Sequence, residues 1–344
     1  MKYLLSILLI STTYTLAAQN DSSYIQKFED YMLIKTGATY RGLDLTLSPR
    51  INGITQFLEP LWYRPSVRNS VSVGVNFKGL AISFGFKLAQ HPLIRDRQGE
   101  SKYFDLQVHS FGKKLGYDIY YQEYQGYFIE DISNLINNII TGQALQRRDD
   151  IRLQNFSVNV FYTFNGDKFS YRAAFVHDEK QNKNGGSFII NGSLGYFNAK
   201  ADSSFTTNNI GINFRPEAAF NQNTFYTFAI TPGYAHTFIV KKHFYISASA
   251  SGLVGLQYHE GQAQNNNTQV GLNYFLKGIA RASVGYHTQK WVIGASAMLD
   301  LQAMNTEFVQ YRTNNLEISA FLAHRFKVKW MAGKKSFFGG KKKN

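Results

Sequence analysis

The stretch Val71 to Leu88, VSVGVNFKGLAISFGFKL, leaves little choice of conformation. Val71, Val73, Val75 and Phe77 alternate with Ser72, Gly74, Asn76 and Lys78. After Gly79, Leu80, Ile82, Phe84, Phe86 and Leu88 alternate with Ala81, Ser83, Gly85 and Lys87. Successive side chains of a strand point to opposite faces, so each half reads as a strand with one apolar and one polar face. With Lys78 and Gly79 as a two-residue loop, Phe77 lies opposite Leu80, Val75 opposite Ile82 and Val73 opposite Phe84. Every apolar residue then falls on one side of the hairpin, so pattern and turn agree on register. What that face touches decides the fold class.

The same alternation recurs at 32–48, 102–112, 115–124, 153–164, 169–177, 187–199, 224–240, 244–258, 269–286, 291–303 and 314–327, which with 69–78 and 80–88 makes thirteen segments. The register test extends to later hairpins. A turn at 165–168 sets Phe164 against Phe169, Tyr162 against Tyr171 and Val160 against Ala173. A turn at 241–243 sets Val240 against Phe244, Phe238 against Ile246 and Ile230 against Val254. A turn at 287–290 sets Tyr286 against Trp291, Val284 against Ile293 and Ala280 against Ala297. Each hairpin yields one continuous apolar face.

Two features separate this pattern from a soluble sandwich. Aromatics gather where the tight turns are, at Phe77, Phe164, Phe169, Phe244, Tyr286 and Trp291, as the girdle of a membrane interface requires. Tight turns also alternate with long polar connections at 89–101, 125–152, 178–186, 259–268 and 304–313. Short turns on one side and long loops on the other mark an outer-membrane barrel, and a closed barrel is the one sheet that satisfies its backbone in lipid. No run of apolar residues is long enough for a helical span. The aromatic share of 15% suits such a protein, and only six prolines interrupt it.

The expected fold is therefore all-β: a transmembrane antiparallel up-and-down barrel of about 12 to 14 strands. Because the count must be even, either 209–215, where Ile210, Ile212 and Phe214 alternate, is a further strand, or one of the thirteen is false. Pro232 suggests a bulge in its strand. In the longest loop Ile132, Leu135, Ile136, Ile139 and Ile140 recur at helical spacing before Gly142, so a short amphipathic helix is expected there, capping the mouth or folding into it.

The chain opens MKYLLSILLISTTYTLAAQ, a basic residue, an apolar run and small residues, which reads as a signal peptide over 1–18 cleaved between Ala18 and Gln19. The expected organisation is signal 1–18, barrel 19–327 and a basic periplasmic tail 328–344, exported to the outer membrane of a Gram-negative cell. The net charge is +14, and half of it is carried by Lys327, Lys329, Lys334, Lys335, Lys341, Lys342 and Lys343. That tail is cationic enough to meet an acidic periplasmic partner or the anionic inner surface of the envelope, and equally suits a solubilising segment with no partner. Outer-membrane lipid is the expected surrounding. Nucleic-acid binding is not expected, because no basic face lies on a recognisable module. The absence of cysteine removes disulfides, a lipidated N-terminal Cys and thiolate chemistry.

The segment Phe161 to Phe188, FYTFNGDKFSYRAAFVHDEKQNKNGGSF, resembles the signature of the domain-of-unknown-function 4421 family of Bacteroidota. That signature is a Phe-Asn turn, a Phe-Ser-Tyr-Arg-Ala-Ala-Phe stretch and a Gln-Lys-x-x-Gly-Ser-Phe segment in order. Here Asn182 separates Gln181 from Lys183 and Gly186 precedes Ser187, so the third part matches loosely. The resemblance continues through Asp21 to Lys27 and Pro232 to Ser247 and covers essentially the mature chain. It implies an outer-membrane barrel and no activity.

With register assigned, the inward face includes Lys78, Lys87, Asp105, His109, Asp118, Arg172, Lys277, Arg281, Asp300, Glu317 and Arg325. Of these, Asp105, His109, Asp118, Arg172, Lys277, Arg281, Asp300 and Glu317 are the candidates to line a lumen. If Lys113 and Lys114 form a turn, His109 lies across from Asp118, with Asp105 further along the same face, and Lys277 lies across from Asp300. A His beside an Asp is how an acid/base site begins. A nucleophilic triad needs a serine at that His, and Ser110 points to the other face, while no Gly-x-Ser-x-Gly elbow occurs. The eight histidines are scattered, so no metal or cofactor is expected, and neither is enzymatic activity.

Three functional readings remain. The first is a pore or transporter for small polar solutes. The second is a closed barrel serving as membrane anchor or envelope assembly component, favoured if a loop or the N-terminal segment plugs the interior. The third is a surface hydrolase whose activity disappears on His109→Ala.

Overall fold

The computed structural model describes residues 23–28, 30–56, 60–66, 68–130, 145–206, 214–263 and 267–328. They form β1 (Ile25–Lys27), β2 (Tyr31–Ile51), β3 (Ile54–Thr55), β4 (Leu61–Arg64), β5 (Asn69–Phe77), β6 (Leu80–Lys87), β7 (Lys102–Phe111) and β8 (Leu115–Glu130). There follow β9 (Arg147–Thr163), β10 (Glu179–Gln181), β11 (Gly185–Lys200), β12 (Gln222–Val240), β13 (Phe244–Gln262), β14 (Thr268–His287), β15 (Trp291–Asn305) and β16 (Val309–Lys327). One α-helix, α1 (Pro92–Gln98), stands between β6 and β7. The expected signal segment, the expected helix at 132–140, residues 209–213 of the further strand expected over 209–215 and the tail beyond Val328 lie outside the described residues.

Neighbouring strands pair antiparallel, and β16 pairs with β2 from Val309 against Pro49 to Lys327 against Tyr31, so the sheet closes on itself. Apart from the short β3 and β4, the 14-stranded sheet is a ring of twelve: β2, β5, β6, β7, β8, β9 and β11 to β16. The opening hairpin forms in the expected register, with Phe77 on Leu80, Val75 on Ile82 and Val73 on Phe84. Lys78 and Gly79 take φ of 48° and 89°, so the turn has positive φ at both positions and matches the twist of its strands.

The exterior is apolar. Val73, Val75, Phe84, Phe86, Ile190, Phe228, Ile246, Leu272 and Ile318 are all exposed, far more than a water-soluble surface carries. No described helix is long and apolar enough to cross a membrane, and the crossing is made by strands. Phe164, Phe244, Tyr286 and Trp291 stand exposed near the tight turns, as a girdle does.

The segment expected as a strand over 169–177 is not one, and this brings the ring to an even count. After β9 the chain turns inward, runs through a π-helical turn at Arg172–Val176 and forms β10, which pairs with β1 as a separate two-stranded sheet. The wall continues directly from β9 to β11, with Tyr162 on Ile190 and Val160 on Gly192. Exposure gives the reason: Phe164 is 51% exposed and faces lipid, whereas Phe169 is at 0% and packs inside with Tyr171 and Ala174. The expected alternation at 169–177 is not realised as two faces: Phe169, Tyr171 and Ala173 are buried, and so are Ser170, Ala174 and Val176 between them. The charges of Arg172, Asp178 and Glu179, which lipid would not accept, pair with one another there. Gly185 marks the return to the wall, because a Cβ there would lie 2.0 Å from the Lys168 carbonyl oxygen.

Two registers also differ. In the β14–β15 hairpin Tyr286 pairs with Ile293 and Val284 with Ala295, two residues from expectation, because Thr288 closes the turn by donating its N–H to the Trp291 carbonyl at 2.8 Å. A shift of two preserves the faces. Near Pro232 the β12–β13 ladder stops after Phe228 on Leu256 and resumes at Gly233 on Ser251 in the same register, so the interruption involves no bulge. The β13 hairpin otherwise pairs as expected, Val240 on Phe244 and Phe238 on Ile246.

The wall is not uniform. Near the long loops, β4 alone bridges β2 and β8, pairing Leu45–Leu47 on one side and Phe128–Glu130 on the other. Nearer the tight turns three strands, β5, β6 and β7, fill the same interval. β6 and β7 pair only from Leu80 on Ser110 to Ser83 on Gln107.

Candidate functional site

The lumen is layered. Toward the loops it holds an apolar cluster that includes Leu43, Leu45, Leu47, Tyr63, Tyr127, Phe197, Phe225 and Tyr311. Toward the turns it holds the inward segment between β9 and β11, packed on Phe111, Phe161 and Ile189. Between the two lies a charged layer, built because inward positions at mid-strand carry polar residues on β2, β7, β8, β14, β15 and β16.

Asp118 is fully buried and shares a hydrogen bond with His109 Nδ1 at 2.5 Å, directly across the β7–β8 ladder. It also pairs with the Arg281 guanidinium from β14. Arg281 in turn lies 5.2 Å above the Phe161 ring and 6.0 Å above Tyr171. Phe111, Phe161 and Tyr171 stack at 5.3 to 5.6 Å, so the charged layer rests on an aromatic floor that the inward segment completes. Asp105 accepts hydrogen bonds from Gln122 Nε2 at 2.9 Å and Tyr124 Oη at 3.1 Å. Arg41 joins it at 3.5 Å and also pairs with Glu317. Lys277 meets Asp300 at 2.5 Å, although the ladder sets Lys277 opposite Gln302, because long side chains reach the diagonal neighbour.

Seven of the eight expected lumen residues thus meet in this layer. Arg172 does not: it belongs to the inward segment and pairs with Asp178 and Glu179 near the turns. Lys35 and Arg41 on β2 were missed. The inward side of β2 is apolar at Leu43, Leu45 and Leu47 and charged at Lys35 and Arg41, so alternation alone does not declare which side is the lumen. Behind Arg41 a cavity of about 120 Å³ is bounded by Lys35, His109, Arg281, Glu317 and the Phe175 and Val176 side of the inward segment. Among the described residues no cluster of His, Asp or Glu is arranged to hold a metal.

The inward segment is fastened by side chains. Asn76 Nδ2 donates to the Val176 carbonyl at 2.6 Å, and the Gly79 N–H donates to Asp178 at 2.7 Å. His177 shares a hydrogen bond with Tyr245 Oη at 2.8 Å, and Arg325 donates to the His177 carbonyl and contacts His287. Burial holds the His177 imidazole well below its ordinary pKa, and the nearby Lys35, His287 and Arg325 push the same way. Burial raises the Glu179 carboxyl, against the pull of Arg172.

A model of the family described as "Domain of unknown function (DUF4421)" matches residues 19–326. No curated protein matches the chain. Among solved structures, the outer membrane protease OmpT of Escherichia coli is similar at 8% identity and a TM-score of 0.36, over 87% of this chain and 97% of that one. The toluene transporter TodX of P. putida is similar at 7% identity and a TM-score of 0.27, over 87% and 90%. The outer membrane protein OprG of Pseudomonas aeruginosa is similar at 8% and 0.23, over 88% and 98%. Likeness at this level carries nothing about activity, and the barrel rests on the closed ladder from β2 round to β16.

Proposed function

The chain belongs to the DUF4421 family, a description that carries no activity, and from the geometry we propose that this outer-membrane barrel is closed to water and ions at rest. It serves as an envelope component through what it binds rather than as an open diffusion pore. The observation that carries the reading is the filling of the lumen from both ends, by the apolar cluster near the loops and by the inward segment near the turns. A barrel of this strand number leaves space that its wall side chains alone do not fill, so an inward segment is what closure requires. The His109–Asp118–Arg281 group is, on this reading, the packing of a charged layer with its partners supplied, and no catalytic role is assigned to it.

Proteoliposome swelling tests the proposal. Vesicles carrying the full chain are expected to swell in arabinose or glycine no faster than empty vesicles, and swelling at the rate of a general porin overturns it. A gated conduit is the second reading. It is favoured by the fact that β1 and β10 form a sheet with no ladder to the barrel, so the plug is held by side chains and can leave without breaking the wall.

A further inference from the structure

The ladder between β6 and β7 ends too early. Its register, continued from Ser83 on Gln107, would pair Phe84 with Leu106 and Phe86 with Phe104, yet no pairing is formed there, although both strands run on. β5 stays with β6 and β7 stays with β8 over the same interval, so the wall parts at one seam. Above the seam Lys87 Nζ reaches Glu100 at 2.9 Å, which closes the top. What remains is a window from Phe84 to Lys87, roughly 13 Å tall at about 3.3 Å per residue. A cavity of about 210 Å³ occupies it, with Phe84, Phe86 and Phe104 at its outer rim and Arg41, Ser70 and Asp105 at its inner one. All three rim phenylalanines face outward: Phe84, Phe86 and Phe104 are 58%, 63% and 57% exposed. An unpaired strand edge in contact with hydrocarbon is unfavourable, so an opening at this depth calls for an occupant.

Two observations give the occupant its chemistry. The rim is aromatic and the space behind it is polar, which selects an amphiphile. Arg41 also lines the inner chamber of about 120 Å³, where Lys35 stands with its ammonium 3.9 Å over the Phe321 ring and with no carboxylate in ion-pair range among the described residues. Arg41 and Arg281, the other strong cations there, are already paired with Glu317 and Asp118. Among the described residues Lys35 is thus the one cation lining the chamber with no direct salt bridge, its charge offset only at longer range by Glu317. We propose that the β6–β7 seam is a lateral entry for a single-chain fatty acid from the surrounding membrane. The carboxylate lies in the chamber near Lys35 and Arg41, and the acyl chain leaves over Phe84, Phe86 and Phe104. This goes beyond the closed-barrel reading and is decided by binding, not by permeation, so the two can fail separately.

The test is equilibrium binding of radiolabelled palmitate to the full chain in maltoside micelles, with 1-hexadecanol as the uncharged competitor. One saturable site per chain is expected, with hexadecanol at least about tenfold weaker than palmitate. Gly85→Phe is placed to fill the window, since a Cβ on Gly85 meets nothing nearer than Ser70 Oγ at 3.5 Å. It is expected to weaken palmitate at least about tenfold while the barrel keeps its heat-modifiable gel mobility. Ser70→Leu fills the same space from β5 and serves if Gly85→Phe does not fold. Lys35→Gln is expected to erase the preference of palmitate over hexadecanol. Unchanged affinity in a folded window-filling variant overturns the entry route, equal affinity for palmitate and hexadecanol overturns the head-group assignment, and no saturable site overturns the whole proposal.

Discussion

His177 concentrates the electrostatics of the plug in one side chain. It is buried against Tyr245, Ser283, His287 and Phe321, with Lys35 and Arg325 near, and burial first and those cations second lower its pKa well below 6.5. The sign follows from linkage: below about 6.5 the unfolded chain binds a proton there that the folded chain refuses, so folding weakens as pH falls toward the depressed value. Above about 6.5 the group contributes its full stability. Thermal unfolding followed by circular dichroism is therefore expected to show a lower midpoint at pH 5.5 than at pH 7.5, with a smaller difference in His177→Gln. An equal difference in the variant would assign the acid sensitivity elsewhere. Legibility at this scale was uneven. His109 and Asp118 were readable because a tight turn fixes what lies opposite what, and the Lys277–Asp300 pair survived a register error of two residues because long side chains span the diagonal. Lys35 and Arg41 were not, because β2 changes the polarity of its inward face partway along.

At the scale of elements, the hairpin β5–β6 was legible down to its pairing, since two alternating runs about one turn admit one register with a single apolar face. The segment after β9 was not, because alternation reports a buried side and an open side without saying which is lipid and which is lumen. What distinguishes Phe169 from Phe164 is the cluster of Arg172, His177, Asp178 and Glu179 that follows, and a wall strand would have carried those charges into the membrane. The lipid face gives a prediction: Phe84→Lys is expected to cost about 2 to 4 kcal/mol, as charges at the bilayer midplane do, while Ser83→Lys, one residue away and pointing inward, assembles normally. Equal folding yields for the two in a urea titration into lipid vesicles would reverse the face assignment. The charged layer gives another. Arg281→Met leaves Asp118 buried with His109 alone and is expected to destabilise by about 3 to 5 kcal/mol, with much of the loss recovered in the double variant Arg281→Met/Asp118→Asn. A double variant no better than the single one would place the loss in the packing of Arg281 on Phe161 and Tyr171.

Around the ring of the whole molecule, the short turns at 78–79, 112–114, 241–243 and 288–290 lie at one end together with the inward segment between β9 and β11. The long connections from β2 to β5, β6 to β7, β8 to β9 and β11 to β12 lie at the other, with a short one between β15 and β16, so both chain ends of the wall, Tyr31 and Lys327, fall at the turn end. In barrels of this kind the tight turns face the periplasm. A tag after Asn344 is accordingly expected to escape antibody on intact cells, and one inserted between Asn137 and Asn138 to be labelled; surface labelling of the former would invert the topology. Closure of the ring was legible from the recurring apolar alternation, although the thirteen segments it marked include one that is not in the wall; closure of the lumen was not legible, since it depends on that segment leaving the wall. Single-channel recording in planar bilayers tests that closure most directly, on the full chain and on a variant in which residues 167–183 are replaced by a short Gly-Ser linker. The account predicts a silent full chain at neutral pH and a larger current in the variant; steady ion conduction by the full chain, unchanged when the segment is removed, would contradict it.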